Sequence, residues 1–392
     1  MGEERQARKN GPESGDQATG TGKKETENGN TVAGSETAEA ASGSGTQGAG
    51  SDHPPDGPAE NQPSVAVCIV TYNSAAWIDE CLASLRRQTW RNLSVVVVDN
   101  ASTDDTVWRV GRADANVRLI RSDRNLGFAA GQNLAISSAE ADYYLVLNPD
   151  VWLAPDYVER LVKLMEERPE IGSATGCLVR ADGSGVLDSA GLAMSWTRRA
   201  VDRGAGMAPE KYGEPGEVFG VSGAAAMYAC RMVRDVKIDG EFFDEDFFAY
   251  KEDVDVAWRA RLLGWKAWYE PKARAVHVRG WGSGSDRGNI SLTVRRHSYK
   301  NRYLAILKNE TFDLFWWLRL PALLAVELAW HLLLLVLDPK VLGVWARMPD
   351  HLRRAWRKRR TLQEMRRAHT GSRPAEPAAS SPGAGAPSAP GG

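Results

Sequence analysis

The first strong signal from the amino end is Val65-Ala66-Val67-Cys68-Ile69-Val70-Thr71, a near-continuous apolar run with the length of a strand buried on both faces. Asn73 or Ser74 then caps a helix on which Trp77, Ile78, Cys81, Leu82 and Leu85 share one face. The alternation continues: Ser94–Asp99 predicts a second buried strand, Thr103–Gly111 a helix, Val117–Arg121 a third strand, Phe128–Ser138 a helix and Tyr143–Leu147 a fourth strand. Strands and helices alternating at this spacing imply an α/β fold with a Rossmann-like, mostly parallel, doubly wound sheet. Ligands of such sheets sit beyond the carboxyl ends of the strands. Asp99, Asn100 and Asp150 all fall at such ends.

The pattern loosens after Asp150. Pro155–Arg168 reads as a helix, and residues 171–230 are Gly-rich with short strand-like pieces. Glu252–Leu263 is a short amphipathic helix, Lys266–Tyr269 and Ala273–Val278 are two strands, and Ile290–Leu307 is helical. The second half is therefore expected to be mixed and to close over the sheet edge.

Composition sets the limits of the folded part. Residues 1–62 contain no Leu, Ile, Phe, Tyr or Trp, and 370–392 are mainly Pro, Ala, Gly and Ser. Neither stretch can bury enough apolar surface to offset its ordering entropy, so both are expected to be disordered. The first also lacks the apolar run of a signal peptide, so secretion is not expected. Cys68, Cys81, Cys177 and Cys230 show no paired metal spacing and read as small buried hydrophobes in a reducing compartment.

The net charge of −1 says little, but its distribution matters. Phe312–Leu337 is apolar and long enough to span a bilayer, although Arg319, Pro321, Glu327 and His331 interrupt it. Arg295, Arg296, Lys300, Arg302 and Lys308 precede it, and Trp345–Arg367 holds nine Arg or Lys against two acids. Basic flanks stay cytoplasmic, and a single pass would put one of these on the wrong side. The expectation is a segment (310–369) lying in the interface, or a re-entrant hairpin broken near Pro321, at the cytoplasmic face of the cell membrane on anionic lipid. The alternative is a helical pair buried between copies of the chain in a homo-oligomer. No nucleic-acid module accompanies the basic run, so a nucleic-acid partner is not expected.

The candidate chemistry begins at Asp150, a carboxylate at a strand end after a proline. Hard divalent cations need few protein oxygens when phosphates supply the rest, and manganese accepts carboxylate with imidazole. His277 ends another predicted strand, so it and Asp150 can share one cation with a diphosphate. Each alone reads equally as a turn carboxylate and a partly buried histidine. Lys251-Glu252-Asp253-Val254-Asp255 opens a helix, where acids commonly serve the helix dipole; three carboxylates in four residues also crowd one another and raise one pKa towards that of a general base. Asp99-Asn100-Ala101-Ser102-Thr103-Asp104 is a strand end followed by a helix. Asn125-Leu126-Gly127-Phe128 is a turn, or a set of amides at a helix N-terminus near phosphate.

Taken in order, Thr71-Tyr72-Asn73, the Asp99–Asp104 run, Asn125-Leu126-Gly127-Phe128 with Asn133, Asn148-Pro149-Asp150, Glu252-Asp253 and His277 resemble the family 2 glycosyltransferases with the GT-A fold, over roughly residues 64–305. The resemblance implies a GT-A domain over 63–309, with a nucleotide-binding half (63–150), an acceptor-binding half (151–309) and appended C-terminal helices. It implies that Thr71, Tyr72 and Asp99 hold the base and ribose, with Asn73, Asn100, Ser102, Asn125, Gly127, Asn133 and Asn148 around the nucleotide-sugar. Asp150 would bind Mg2+ or Mn2+, with His277 as a further ligand. Asp253 would be the catalytic base of an inverting displacement, Glu252 and Asp255 would hold acceptor or orient it, and Trp281 would contact acceptor.

Two departures bear on this. The metal motif begins with Asn148 where the family often has Asp, so more of the binding falls on Asp150. No Gln-x-x-Arg-Trp segment is present, which argues for addition of a single sugar. The Asn-Pro-Asp-Val form and the aromatic lead-in before Lys251 look like the rhamnosyltransferase-like branch. These enzymes use a deoxythymidine-diphosphate sugar in bacterial envelope assembly, here with a saccharide or polyprenyl-diphosphate-linked acceptor. A nucleotidyltransferase would need a Gly-rich phosphate loop at Thr71-Tyr72-Asn73-Ser74, and a dehydrogenase would need G-x-G-x-x-G there. A silent scaffold of the same fold, binding nucleotide without turnover, is the remaining alternative.

Overall fold

The computed structural model describes residues 62–113, 116–279 and 291–372. Its amino half follows the expected alternation: β1 (Val65–Thr71), α1 (Ile78–Arg86), β2 (Leu93–Asp99), α2 (Thr106–Gly111), β3 (Val117–Arg121), α3 (Gly127–Ser137) and β4 (Tyr143–Leu147). Every residue of β1 is buried, as its unbroken apolar run requires. α2 starts three residues later than its pattern suggests. Asp104 Oδ1 accepts the Thr106 amide at 3.0 Å, and this local bond holds the preceding turn out of the helix.

The mixed half contains β5 (Val151–Leu153), α4 (Tyr157–Glu167), β6 (Ile171–Arg180), β7 (Leu187–Ser189), β8 (Leu192–Met194), β9 (Ala200–Asp202), β10 (Gly216–Val218), β11 (Ala225–Ala229), α5 (Cys230–Val236), α6 (Glu252–Leu262) and β12 (Lys266–His277). The two strands expected around Pro271 are one, with the register slipping between Glu270 and Arg274. Four helices follow: α7 (Leu292–Asn309), α8 (Leu314–Leu337), α9 (Pro339–Leu342) and α10 (Met348–Ser372).

The main sheet runs β3-β2-β1-β4-β11-β6-β12-β10. β1 to β4 pair in parallel, β11 is antiparallel to β4 and β6, and β6 and β12 are again parallel. After β3 the chain returns to the other side of β1 to form β4. The carboxyl ends of β1 and β4 therefore flank a topological switch point, the ordinary place for a ligand crevice. β11 brings the Ser222–Ala224 turn to the same end, since Ala225 is registered against Leu147.

The C-terminal helices are less appended than composition suggests. α8 lies antiparallel along α7: Arg302 reaches Glu327 at 2.6 and 2.9 Å, and the Tyr299 hydroxyl meets His331 Nε2 at 2.6 Å. Glu327 and His331, which interrupt the apolar run, thus form the polar seam that docks it. The helix continues through Pro321, so the expected hairpin break there does not occur. α10 returns to the mixed half, where Lys358 Nζ reaches Asp244 at 2.6 Å and Glu241 at 2.8 Å. Cys68, Cys81 and Cys177 are buried and Cys230 half-buried, all four free.

Candidate active site

Thr71 and Asp99 are partners in the β1–β2 register, which brings both side chains to the switch point. The Thr71 hydroxyl donates to Asp99 Oδ1 at 2.9 Å, and the Ser102 amide donates to Oδ2 at 3.0 Å. Asn73 sits at φ 51° and accepts the Thr103 amide at 2.8 Å, while its own amide donates to Ser102 Oγ at 2.9 Å. One loop network therefore holds Thr71, Asn73, Asp99 and Ser102 together. Tyr72, between them, is 53% exposed.

Asn125, Gly127 and Asn133 are placed differently from expectation. The Gly127 amide donates to Asn125 Oδ1 at 2.9 Å, and the Ala129 amide to the Phe248 carbonyl at 3.1 Å. Asn133 exchanges two bonds with the Phe243 backbone, at 2.8 and 2.9 Å. A Cβ on Gly127, whose φ is +85°, would lie 2.5 Å from the Phe248 ring. The start of α3 is thus docked on residues 243–248. Asn100 supports this docking, giving its Nδ2–H to the Gly127 carbonyl at 2.9 Å. These motif residues join the two halves of the domain.

Asp150 and His277 come together from opposite ends of the sequence because β5, beginning at Val151, is antiparallel to β12, with Val151 facing His277 in register. Asp150 Oδ1 lies 3.4 Å from His277 Nε2. The other ring nitrogen, Nδ1, is 2.8 Å from Asp188 Oδ2. Asp188 is buried, and Arg279 pairs with it and, at 2.9 Å, with Asp202. Burial alone would lower the His277 pKa, but the two flanking carboxylates outweigh it and hold it at about 9. A hydrogen bond from Nδ1–H to Asp188 fixes the ring with Nε2 aimed at Asp150, the carboxylate–histidine arrangement that orients metal-bound imidazoles. The sequence reading missed Asp188, which lies in a three-residue strand of the Gly-rich segment.

No cluster of three or more His, Cys, Asp or Glu able to hold a metal occurs among the described residues. The donor set fits a cation that takes two ligands from protein and the rest from a diphosphate. Asn148 contributes its backbone, the amide donating to the Ala224 carbonyl at 2.9 Å.

The adjacent Gly223 amide donates to Asp253 Oδ2 at 3.1 Å. A single turn therefore binds the Asp150 segment on one side and the Asp253 carboxylate on the other. Asp253 is half-buried, and its pKa is raised by burial and by the charge of Asp202, against the two backbone amides it accepts. Glu252 is buried, with Oε2 unpartnered among the described residues. Burial, then the neighbouring Asp253 charge, lifts it to about 8. The segment before them is strained: Phe248, Tyr250 and Lys251 all have positive φ. Asn301 of α7 holds it, its Nδ2 lying 2.7–2.9 Å from the carbonyls of Phe247, Ala249 and Tyr250.

Asp255, expected to meet acceptor, is turned away from the cleft. It is fully buried and bonded to Arg259 at 3.0 Å, Lys308 at 2.8 Å and Asn309 at 2.8 Å. The helical period places it opposite Asp253, towards α7. Trp281 lies outside the described residues.

The sequence model described as Glycosyl transferase family 2 matches residues 66–235. An N-acetylglucosaminyl-diphospho-decaprenol L-rhamnosyltransferase of Mycobacterium tuberculosis is 31% identical over 261 residues, covering 59% of this chain and 82% of that protein. An N-acetylglucosaminyltransferase of Bradyrhizobium elkanii is 34% identical over 126 residues, covering 31% of this chain and 69% of that protein. Among solved structures, S. aureus TarS aligns with a TM-score of 0.45 at 19% identity, covering 64% of this chain and 40% of that one. At 31% identity over 82% of that rhamnosyltransferase, together with the family 2 sequence model, the chain belongs to the family 2 glycosyltransferases and is rhamnosyltransferase-like.

Proposed function

We propose that this glycosyltransferase moves one sugar, rhamnose, from a nucleoside-diphosphate donor to a hydroxyl of a lipid-linked saccharide during envelope polysaccharide assembly, with inversion at the anomeric carbon. The observation that carries the reading is the shared Gly223-Ala224 turn, which holds Asp253 and the Asp150 segment together beside the Thr71–Asp99 network. Exposed Tyr72 is positioned to stack on the nucleotide base, and the Asp99 network to receive the ribose.

Asp150 and His277 would hold Mg2+ or Mn2+ with the donor diphosphate, and the cation would act as a Lewis acid towards the leaving group. Asp253 takes the proton from the acceptor hydroxyl. The acceptor oxygen forms a bond to the anomeric carbon as the bond to the diphosphate oxygen breaks, and the electron pair leaves with the diphosphate. Gly223 and Val254 amides aim Asp253 while leaving lone pairs for the acceptor proton. Asp188 fixes His277.

The membrane reading is an apolar helix lying in the interface. The docked face of α8 includes Trp316, Leu320, Glu327, Trp330 and Leu334, and the opposite face leaves Leu318, Leu324, Leu328, Leu332 and Leu335 exposed. Its ion pairs to α7 along the same axis favour lying flat over crossing.

A nucleotide-sugar screen by thermal shift, with and without Mn2+, tests the proposal. A deoxythymidine-diphosphate sugar should raise the melting temperature only with metal, because binding to the folded state adds stability. Asp150→Ala should remove the metal-dependent part. An unchanged metal-dependent shift in the variant would rule out the metal assignment.

A further inference from the structure

A cavity of about 480 Å³ lies between the 250–251 segment, β9, α7, α8 and α9. Its size suits a ligand pocket. Trp330, Leu334 and Val341 line it together with Tyr303, Arg199 and Lys251. It opens between the strained segment that introduces Asp253 and the helix whose outer face is exposed leucine.

The charges in it fall into two groups. Arg302 and Arg295 also line the cavity, but Glu327 and Asp338 neutralise them. Arg199 and Lys251 form no close ion pair among the described residues, although Glu327 faces Arg199 and Asp253, Asp202 and Glu252 face Lys251, and the Arg199 guanidinium lies 4.4 Å over the Trp330 ring. Lys251 stands two residues before Asp253, and each is within range of the other's charge. The pocket therefore combines two cationic side chains, Lys251 near Asp253 and Arg199 stacked on Trp330, with an apolar wall of Trp330, Leu334 and Val341.

We infer that this cavity binds the diphosphate and first isoprene units of a polyprenyl-diphosphate-linked acceptor. Arg199 and Lys251 take the phosphates, while Trp330, Leu334 and Val341 take the chain. The inference rests on the lipid-linked acceptor reading above. One sugar ring on the diphosphate then carries its hydroxyls towards Asp253, and the prenyl chain runs on from Leu334 to the face of α8 that meets lipid. An amphiphile with two anionic groups and a branched apolar tail matches both kinds of lining; a free saccharide would leave Trp330, Leu334 and Val341 uncovered.

The experiment uses the full chain in detergent, with farnesyl diphosphate as probe and farnesol and deoxythymidine diphosphate with Mn2+ as comparisons. Farnesyl diphosphate should quench tryptophan fluorescence and bind at least tenfold more tightly than farnesol. The double variant Arg199→Ala, Lys251→Met should lose at least tenfold in farnesyl diphosphate affinity and keep its affinity for deoxythymidine diphosphate. Unchanged farnesyl diphosphate binding in the double variant, or displacement of the probe by deoxythymidine diphosphate, overturns the inference. If the double variant fails to fold, a benzophenone-bearing farnesyl diphosphate on the unmodified chain decides: labelling around Leu334 and Val341 supports the cavity, and labelling only elsewhere overturns it. Failure of deoxythymidine diphosphate to bind the unmodified chain would count against the donor reading, while the farnesyl arm still judges the cavity.

Discussion

Asp253 and Glu252 are neighbours with opposite surroundings. Asp253 is half-buried and held by two backbone amides, whereas Glu252 is buried with one oxygen unpartnered among the described residues. Asp253→Asn keeps the shape and removes the basic lone pair, so transfer should fall by about 10²–10⁴-fold with donor affinity intact. Single-turnover rates and donor calorimetry on the same sample would show this, and near-normal transfer would remove Asp253 as base. Glu252 gives a pH effect. Between its ordinary value of 4.5 and about 8 the folded chain keeps a proton that the unfolded chain has released. Stability contributed by this group is full below that window and declines as pH rises through it. Glu252→Gln lacks the titration, so its stability relative to the parent should climb between those limits, by roughly 1–4 kcal/mol. Urea midpoints across pH would measure it; a constant difference would mean that Glu252 ionises freely. Asp99, Asp150 and His277 were legible because they end strongly patterned strands. Asp188 was not, because three residues in a Gly-rich stretch carry no period. Gly127 and Asn133 were legible as special positions but not in role, since Phe248 and Phe243, which they meet, lie more than a hundred residues away, while Asn125 holds only its own turn.

At the level of elements, the alternating half could be read almost to the residue, because β1, β2 and β4 are buried runs separated by helices with one apolar face. The joining of two strands into β12 escaped, since Pro271 breaks the pattern while the slipped register accommodates it. The larger surprise is the part played by α7 and α10. Lys308 bridges Asp244 and Asp255, and Lys358 also reaches Asp244. The lysines hold the Asp244 carboxyl well below its usual range even though burial acts the other way. Charge counting had assigned such residues to a lipid-facing surface, yet these two are buried. Lys308→Met should therefore cost about 3–5 kcal/mol, because it takes one cation from each of two buried carboxylates. Chemical denaturation would check it, and a loss under 1 kcal/mol would mean that Lys358 and Arg259 suffice.

For the whole molecule, the question is how the cleft would meet the lipid-linked acceptor proposed for it. α8 has eleven large apolar side chains exposed between Leu314 and Leu337, a patch far larger than an ordinary soluble surface leaves open. Replacing Leu324, Leu328, Leu332 and Leu335 by Ser should abolish sedimentation with anionic liposomes while nucleotide-induced thermal shifts persist. Equal sedimentation of parent and variant would reassign the face to contact between copies of the chain. These substitutions are preferable to deleting 310–370, since α10 also braces the mixed half. That bracing orders events during synthesis. α8 leaves the ribosome before Lys358 does, so the apolar helix can reach the bilayer while the segment leading to Asp253 still lacks its last clamp. The base would then be set in place only after the chain has reached the surface where its acceptor resides.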